Sequence, residues 1–276
     1  MRWDGSRESD NVVDARRGGG VRLAAGGGVG MAVLALVVYL LGGDPRVVTN
    51  SVPAVPNRTA TTATANDPDV VFVKRVLGDT EATWNAVFKN RGEQYEEPKL
   101  VLFSGQVASA CGFAQAAMGP FYCPRDHQVY IDLAFYNELK QRFHAPGDFA
   151  QAYVIAHEVG HHVQSLLGIA DRVADARERG NRGEANALSV RTELQADCFA
   201  GIWAHDAKET RNRLEQGDLE EALTAASAIG DDNLQKRSQG YVVPESFTHG
   251  SAAQRVAWFK RGFESGRLEA CDTFKG

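Results

Sequence analysis

The stretch that most constrains this 276-residue chain is HEVGHH at residues 157–162. It lies inside AQAYVIAHEVGHHVQSLLG, an apolar segment with clear boundaries. Asp148 is a candidate helix N-cap, and Gln151 three residues later completes a capping box. Gly168 is a natural C-terminal stop. The sequence therefore predicts a single helix over 149–167 that carries the whole motif.

The charged residues of this motif form a pattern that predicts a metal site. His157 and His161 are four residues apart, so both rings lie on one helical face and can reach one ion. Glu158 is rotated by about 100° from His157 around the helix axis, so its carboxylate can reach a water molecule bound to that ion. This is the HExxH signature of zinc peptidases, with Zn²⁺ as the expected cofactor and Glu158 as the expected catalytic base. His162 faces another direction and is predicted to pack or to support a ligand.

A catalytic zinc ion needs a third protein ligand and one open position. No histidine follows at the spacing of the metzincin pattern, so the ligand is sought in RTELQADCFAG. Glu193 and Asp197 are four residues apart on one face of an otherwise apolar predicted helix. Glu193 is the predicted ligand. Asp197 is predicted to accept the free ring N–H of a ligating histidine, most simply His157.

The N-terminal part of the chain predicts a membrane anchor. Residues 23–41 form an uncharged, largely apolar run long enough to cross a bilayer, and arginines precede it. The positive-inside rule places residues 1–22 in the cytoplasm and the rest outside. A cleaved signal peptide is the alternative, but the site after the run is poor in the small residues that cleavage needs. Residues 42–66 are predicted to be a flexible linker, and residues 67–276 an extracytoplasmic domain.

Four cysteines are candidates for disulfides if this domain lies outside the cytoplasm. Cys111 and Cys123 flank a Gly-Pro turn, so a local bridge between them is plausible, which leaves Cys198 with Cys271. The sequence alone allows three pairings.

Periodicity along the folded part predicts an α+β, predominantly helical domain with a small sheet ahead of the motif helix. Asp67 and Pro68 are expected to open a first helix, and Val129 to Leu133 alternate as a strand. Further helices are predicted over 184–207, after Asp218 with Glu221 as its capping box, and after Ser251 with Gln254. The predicted strands are 99–105 and part of 121–136, and the charged stretch 171–183 is predicted to be a loop. A net charge of −5 without a basic stripe predicts no nucleic-acid binding.

Several of these stretches together resemble the bacterial family known as putative neutral zinc metallopeptidases. They are RWDGSRESDNVVDARRGGG, CGFAQAAMGPFYCPRDHQVYIDLAFY, HEVGHHVQ, ELQADCFAGIWA and ESFTHGSAAQRVAWF. The resemblance covers nearly the whole chain except the linker. It implies a single-pass membrane protein with a zincin domain that uses a glutamate as third ligand, a gluzincin-like site, and a peptide or protein substrate.

A donor that stabilises the transition state is expected beside such a site. His249 resembles the histidine of a Thr-His stretch found after the third ligand in some membrane-linked zinc peptidases, although Gly250 stands where those have proline. Tyr241 is a second candidate. A purely structural role is the alternative for both residues. For His249 this would be a position just before the N-cap Ser251 of the following helix.

Two functions are compatible with these patterns. The first is a membrane-anchored zinc peptidase whose extended substrate lies along the strand at 129–133. The second is a zinc-stabilised binding or regulatory module, in which a fourth side chain such as His162 closes the site.

Overall fold

The computed structural model of the protein describes residues 1–16, 67–116 and 119–275. The predicted membrane helix at 23–41 and the predicted linker at 42–66 lie outside these ranges. Within them, no helix is both long enough and apolar enough to cross a bilayer.

Helices make up most of the described chain, and the helix that carries HEVGHH is α3. In chain order the α-helices are α1 Pro68–Asn90, α2 Ala134–Gln141, α3 Asp148–Leu166, α4 Ile169–Arg179, α5 Arg182–Glu209, α6 Asp218–Ala228, α7 Asp231–Gln239 and α8 Ala252–Ser265. Short 3-10 turns are found at Pro244–Ser246 and Leu268–Cys271. The predicted α+β, mainly helical class is confirmed.

Two small sheets accompany the helices. Their strands are β1 Val12–Asp14, β2 Lys99–Phe103, β3 Gln106–Ser109, β4 Gly112–Gln115, β5 Phe121–Cys123 and β6 Gln128–Asp132. The larger sheet has the order β1-β2-β6-β5, parallel except for the antiparallel β5–β6 hairpin, and β3 pairs with β4 alone. The larger sheet precedes the motif helix in the chain, as predicted.

The N-terminal residues belong to the folded domain. Residues 1–15 and 66–276 form one compact unit, and Val12 to Asp14 pair in parallel with Leu100 to Leu102. A single crossing of a membrane by residues 23–41 would put these two paired strands on opposite sides. The sequence-based boundaries missed this strand of three residues, which the structure includes in the domain. The cytoplasmic location of residues 1–22 stays a prediction.

Polar contacts also attach this N-terminal segment to the domain. The buried carboxylate of Glu81 on α1 accepts hydrogen bonds from Ser9 Oγ at 2.6 Å and Asn11 Nδ2 at 2.8 Å, and it pairs with Arg7. Trp3 Nε1 donates to Asp148 at 2.8 Å. Buried carboxylates are costly unless they are paired, so α1 depends on residues 7–11.

The N-terminus of α3 differs from the predicted capping box. Gly147 is the N-cap, and Asp148 makes no capping bond but contacts Trp3 instead. The backbone N–H of Phe149 donates to Glu221 Oε2 at 3.1 Å. Glu221 was predicted to cap its own helix with Asp218, yet α6 has Gly217 as N-cap and no side-chain capping bond. Asp148 and Glu221 therefore bind residues of other elements and do not cap their own helices, because α3 packs against α6 and the N-terminal segment.

Other predicted boundaries held where the cap is purely local. Asp67 accepts from the N–H of Asp69 at the start of α1, and Ser251 with Gln254 forms the predicted capping box of α8. Gly168 adopts φ 64° at the end of α3, the left-handed conformation that favours glycine.

The stretch 171–183 is not a loop, and that prediction was wrong. Most of it lies in α4, in which Val173 is the single buried residue. Alanine, arginine and glutamate are strong helix formers, so the segment folds as a helix although only one of its side chains is buried. The amphipathic pattern also failed to reveal α2 and α7, which are short.

Both disulfides join the cysteines that the sequence favours. Cys111 bonds to Cys123, and Cys198 to Cys271. The second bridge ties the C-terminal 3-10 turn to the middle of α5.

Candidate metal centre

Three predicted ligands converge between α3 and α5. One donor atom from each of His157, His161 and Glu193 lies within 4.8 Å of the other two. His157 Nε2 is 3.1 Å from Glu193 Oε2, and His161 Nε2 is 3.5 Å from Glu193 Oε1. Zinc bonds of about 2.0–2.1 Å in a tetrahedral arrangement separate neighbouring donors by roughly 3.3 Å. The spacing of these side chains therefore fits one zinc ion.

Hydrogen bonds on the far side of each ring orient the two histidines. His157 Nδ1 donates to Asp197 Oδ1 at 2.9 Å, and His161 Nδ1 donates to Gln164 Oε1 at 2.9 Å. With Nδ1 protonated, each Nε2 presents its lone pair to the site, as a neutral histidine ligand must. Gln164 is held in turn by the carbonyl of Thr192. The predicted role of Asp197 toward His157 fits this geometry.

A glycine in the motif allows α5 to come close enough. A Cβ on Gly160 would lie 2.9 Å from the carbonyl oxygen of Ala196, closer than real Cβ atoms approach. The absence of that atom lets the backbones of α3 and α5 approach where Glu193 must reach the two histidines. The middle of HEVGHH thus has a packing role besides spacing the ligands.

Arg255 on α8 completes the support behind His157. Its Nε donates to Asp197 Oδ2 at 2.8 Å, and its Nη2 donates to Asp197 Oδ1 at 2.9 Å. Tyr153 donates to the same Asp197 Oδ1 at 2.5 Å. All three side chains are buried. The sequence patterns predicted no role for Tyr153 or Arg255. The one feature that could have pointed to Arg255 is its position six residues after His249.

The surroundings of these groups shift their acidity. Burial raises the pKa of Asp197, but Arg255 and His157 outweigh it and bring the pKa to about 2. Burial lowers the pKa of His157, while Asp197 and Glu193 more than compensate and raise it to about 10. Burial likewise acts against ionised Glu193, yet the two histidines hold its pKa well below the usual value. Without a metal the ligands thus hold a proton among them, which a metal ion replaces.

Glu158 lies beside this cluster, and its carboxylate has no hydrogen-bond partner in the described part of the chain. It is 8% exposed, and it makes no hydrogen bond with any other described residue. Burial raises the pKa of its carboxyl group above the usual value, partly offset by His157 and His161. A carboxylate with a raised pKa and free lone pairs at a cavity wall is suited to accept and return a proton.

His162 is turned away from the ligands. Its Nε2 donates to the carbonyl oxygen of Glu96 at 2.6 Å, and its Nδ1 lies 3.2 Å from the Tyr122 hydroxyl. Burial lowers its pKa to about 4, so it is neutral. In the described ranges, the cluster of His157, His161 and Glu193 includes no fourth side chain that could ligate a metal. The packing role predicted for His162 fits, and a site closed by His162 does not.

The three ligands and Glu158 open onto a cavity of about 720 Å³. Much of its wall is apolar, including Phe121, Phe135, Val154 and Leu234. A cavity of this size accommodates several side chains of an extended peptide.

His249 lines this cavity, and Asp231 fixes it there. Asp231 accepts the backbone N–H groups of Thr248, His249 and Gly250, and its Oδ1 lies 3.1 Å from His249 Nδ1. The hydrogen bond to Asp231 raises the pKa of His249 above the usual value, against the effect of burial. Asp231 therefore holds the imidazole of His249 at the cavity wall and favours its protonated form.

Two sequence-based placements differ from the structure. Tyr241 is 62% exposed and does not line the cavity. The strand at 129–133 is not a sheet edge, because β6 lies between β2 and β5. The hairpin covers it with β5, so the edge that borders the cavity is Phe121–Cys123, of which Phe121 and Tyr122 are lining residues.

Comparisons with known proteins agree with this chemistry. The model of the family described as "Putative neutral zinc metallopeptidase" matches residues 1–274. The chain is 49% identical to "Uncharacterized protein YpfJ" of Escherichia coli strain K12, over 99% of each chain. It is 44% identical to "Uncharacterized protein Rv2575" of Mycobacterium tuberculosis, over 74% of this chain and 71% of the relative. No solved structure matches the chain. By a family match that spans nearly its whole length, the chain belongs to the putative neutral zinc metallopeptidase family.

Proposed function

We propose that this protein is a zinc-dependent peptidase with a gluzincin-like site. The observation that carries the proposal is the buried, unpaired carboxylate of Glu158 beside a cluster of two imidazoles and one carboxylate spaced for zinc. A structural zinc site has no use for a free base at its edge. A hydrolytic site needs both a base and access for substrate, and the cavity supplies that access.

His157, His161 and Glu193 would hold the zinc ion. When bound, zinc supplies Lewis acidity toward a carbonyl oxygen and toward water. Glu158 accepts a proton from the attacking water and donates it to the leaving amine. The Asp197–Arg255 pair holds His157 in the ligating orientation throughout. His249 donates a hydrogen bond to the oxygen on which charge develops.

The substrate in this proposal is an extended peptide. The outer edge of β5 borders the cavity, and its backbone groups face away from β6. A peptide strand can pair with such an edge while its side chains enter the apolar part of the cavity. This replaces the strand at 129–133 in the sequence-based hypothesis.

The central test compares the wild-type protein with Glu158→Gln. Zinc content is measured by metal analysis, and hydrolysis by mass spectrometry on a peptide mixture. We expect both proteins to bind zinc and only the wild type to cleave peptides. Cleavage retained by Glu158→Gln would contradict the assigned base. Zinc binding without cleavage by the wild type would instead favour the zinc-stabilised binding or regulatory module.

We place the compact unit outside the cytoplasm, in contact with a membrane through the run at residues 23–41. Two disulfides support an oxidising compartment. Because residues 1–15 and 66–276 belong to one compact unit, the proposal places both parts on the same side of the bilayer.

Cysteine labelling tests this location. Asp4→Cys and Lys236→Cys each add one exposed thiol to a protein whose own cysteines are bonded. Both variants should react with a membrane-impermeant maleimide in intact cells. Reaction of Lys236→Cys alone would mean that β1 and β2 are not paired in the membrane-bound protein. Reaction of both variants only after permeabilisation would place the unit in the cytoplasm.

A further inference from the structure

One cationic side chain on the cavity wall has no hydrogen-bond or ion-pair partner among residues 1–16, 67–116 and 119–275. Arg177 lies in the last turn of α4, is exposed, and lines the cavity that contains the metal centre. No hydrogen bond or ion pair joins it to another residue in the described part of the chain. Its guanidinium is therefore free to bind a group that enters the cavity.

Apart from Glu158, the other charged side chains of the cavity wall have partners among the described residues. Arg255 also lines the wall, but Asp197 and Tyr153 take up its guanidinium. Glu193 contacts both histidines, and His249 contacts Asp231. Among the arginines and lysines that line the cavity, Arg177 is the one without an anionic partner in the described ranges.

The neighbours of Arg177 on α4 are arranged differently. Arg179 contacts Asp175 on its own helix through its Nε and Nη2 atoms, and it does not line the cavity. Arg172 lines a separate cavity near the C-terminal segment. Both Arg177 and Arg179 suit the negative end of the helix dipole, so that role does not explain why Arg177 lies at the cavity.

We infer that Arg177 is a specificity-determining residue that binds a carboxylate of the peptide substrate. This inference rests on the proposed peptidase function and names the substrate class: a peptide with an apolar segment and one carboxylate at a fixed distance from the scissile bond. Arginine binds carboxylates in a planar, two-bond geometry that gives both orientation and selectivity. The carboxylate could belong to an acidic side chain or to the C-terminus of the peptide.

The test uses matched peptides that differ at one position by Glu, Gln or Lys, each with a free or an amidated C-terminus. Cleavage is measured as kcat/KM with the zinc-loaded protein, and binding is measured by fluorescence with the zinc-loaded Glu158→Gln variant. We expect the wild type to favour the carboxylate-bearing member of a pair by about tenfold. Arg177→Glu should reverse this preference in favour of Lys. Loss of preference on amidation alone would assign the carboxylate to the C-terminus.

Arg179→Glu is the matched control, because it makes the same charge change on the same helix away from the cavity wall. It should leave the ratio between Glu and Gln peptides unchanged. An equal effect of both variants would overturn the inference, since the preference would then come from the general field of α4. No preference in the wild type would overturn it too.

The binding arm separates this inference from the proposed function. Carboxylate-dependent binding by Glu158→Gln, lost in Arg177→Glu, supports the role of Arg177 even if the wild type cleaves nothing. Cleavage of peptides without regard to carboxylates supports the peptidase and overturns the role of Arg177.

Discussion

Glu81 on α1 and Glu158 on α3 are both buried carboxylates, and their surroundings differ. Glu81 is completely buried and accepts hydrogen bonds from Ser9 and Asn11 besides its pair with Arg7. Glu158 is 8% exposed and has no hydrogen-bond partner among the described residues. The first carboxylate is stabilised by the fold, and the second is left free at a cavity wall. Burial by itself therefore does not indicate a catalytic residue, whereas burial without a described partner beside a metal-type cluster supports the role proposed for Glu158.

The comparison predicts that replacing Glu158 changes activity and not stability. Glu158→Gln removes the base, and general base catalysis contributes about 10²–10⁴ in rate. We expect hydrolysis to fall by about 10³ or more, with no decrease in melting temperature, because the substitution removes a buried group that lacks partners. Paired activity assays and thermal melts measure both quantities. A melting temperature well below that of the wild type would mean that Glu158 has structural partners in solution.

Replacing Glu81 should have the opposite result. Glu81→Gln leaves Arg7 without its anion and exchanges two hydrogen bonds to a charged group for weaker ones. We expect the free energy of unfolding to fall by about 2 kcal/mol. Chemical denaturation measures this loss, and the zinc-loaded folded fraction should keep its activity. Glu97→Gln is the control, since Glu97 accepts an exposed bond from the same Asn11 side chain.

Replacing Asp197 should have an effect between those of the two glutamate substitutions, because Asp197 contacts both the buried Arg255 and the predicted ligand His157. Asp197→Asn keeps the size of the side chain and removes the charge that orients His157 and pairs with Arg255. We expect zinc affinity to fall by about 10- to 100-fold, as for other groups that support metal-bound histidines. Competition with a chelator measures the affinity. Unchanged affinity would restrict Asp197 to a structural role with Arg255.

The smallest expected effect concerns the pair of Asp231 and His249. The pKa of His249 is raised by Asp231, and the pKa of Asp231 is lowered in part by His249. The ion pair therefore stabilises the folded protein between the ordinary pKa of Asp231 and the ordinary pKa of His249, about 6.5. This stabilisation is lost as the pH rises through the pKa of His249 in the folded protein. His249 is half exposed, so we expect less than about 1 kcal/mol.

Thermal melts of wild type and His249→Gln at pH 5.5 and 8.5 would show this difference. The variant should be the less stable protein at the lower pH and nearly equal at the higher pH. Equal stability at both values would mean that Asp231 stabilises its loop through the backbone N–H groups alone.

The helix caps that involve only nearby atoms were predicted correctly, while those whose carboxylates have distant partners were not. The caps at Asp67 and Ser251 formed as predicted, because each involves atoms within three residues. Asp148, Asp218 and Glu221 have the same local pattern, yet packing of α3, α6 and the N-terminal segment turns these side chains to distant partners, which for Asp218 is the N-terminal amine of Met1. A capping box is decided by local geometry only where no other element competes for its carboxylates.

Most of the candidate metal centre can be predicted from the sequence alone. The spacing of His157, Glu158 and His161 follows from the helical repeat, and Glu193 with Asp197 repeats that spacing on a second apolar helix. Contacts between residues far apart in the chain could be seen only in the tertiary structure. It brought Arg255 and Tyr153 behind Asp197, made β5 rather than β6 the edge at the cavity, and joined residues 1–15 to a domain that begins again at residue 66. Each of these relations joins residues far apart in the chain, where only packing and strand pairing set the distance.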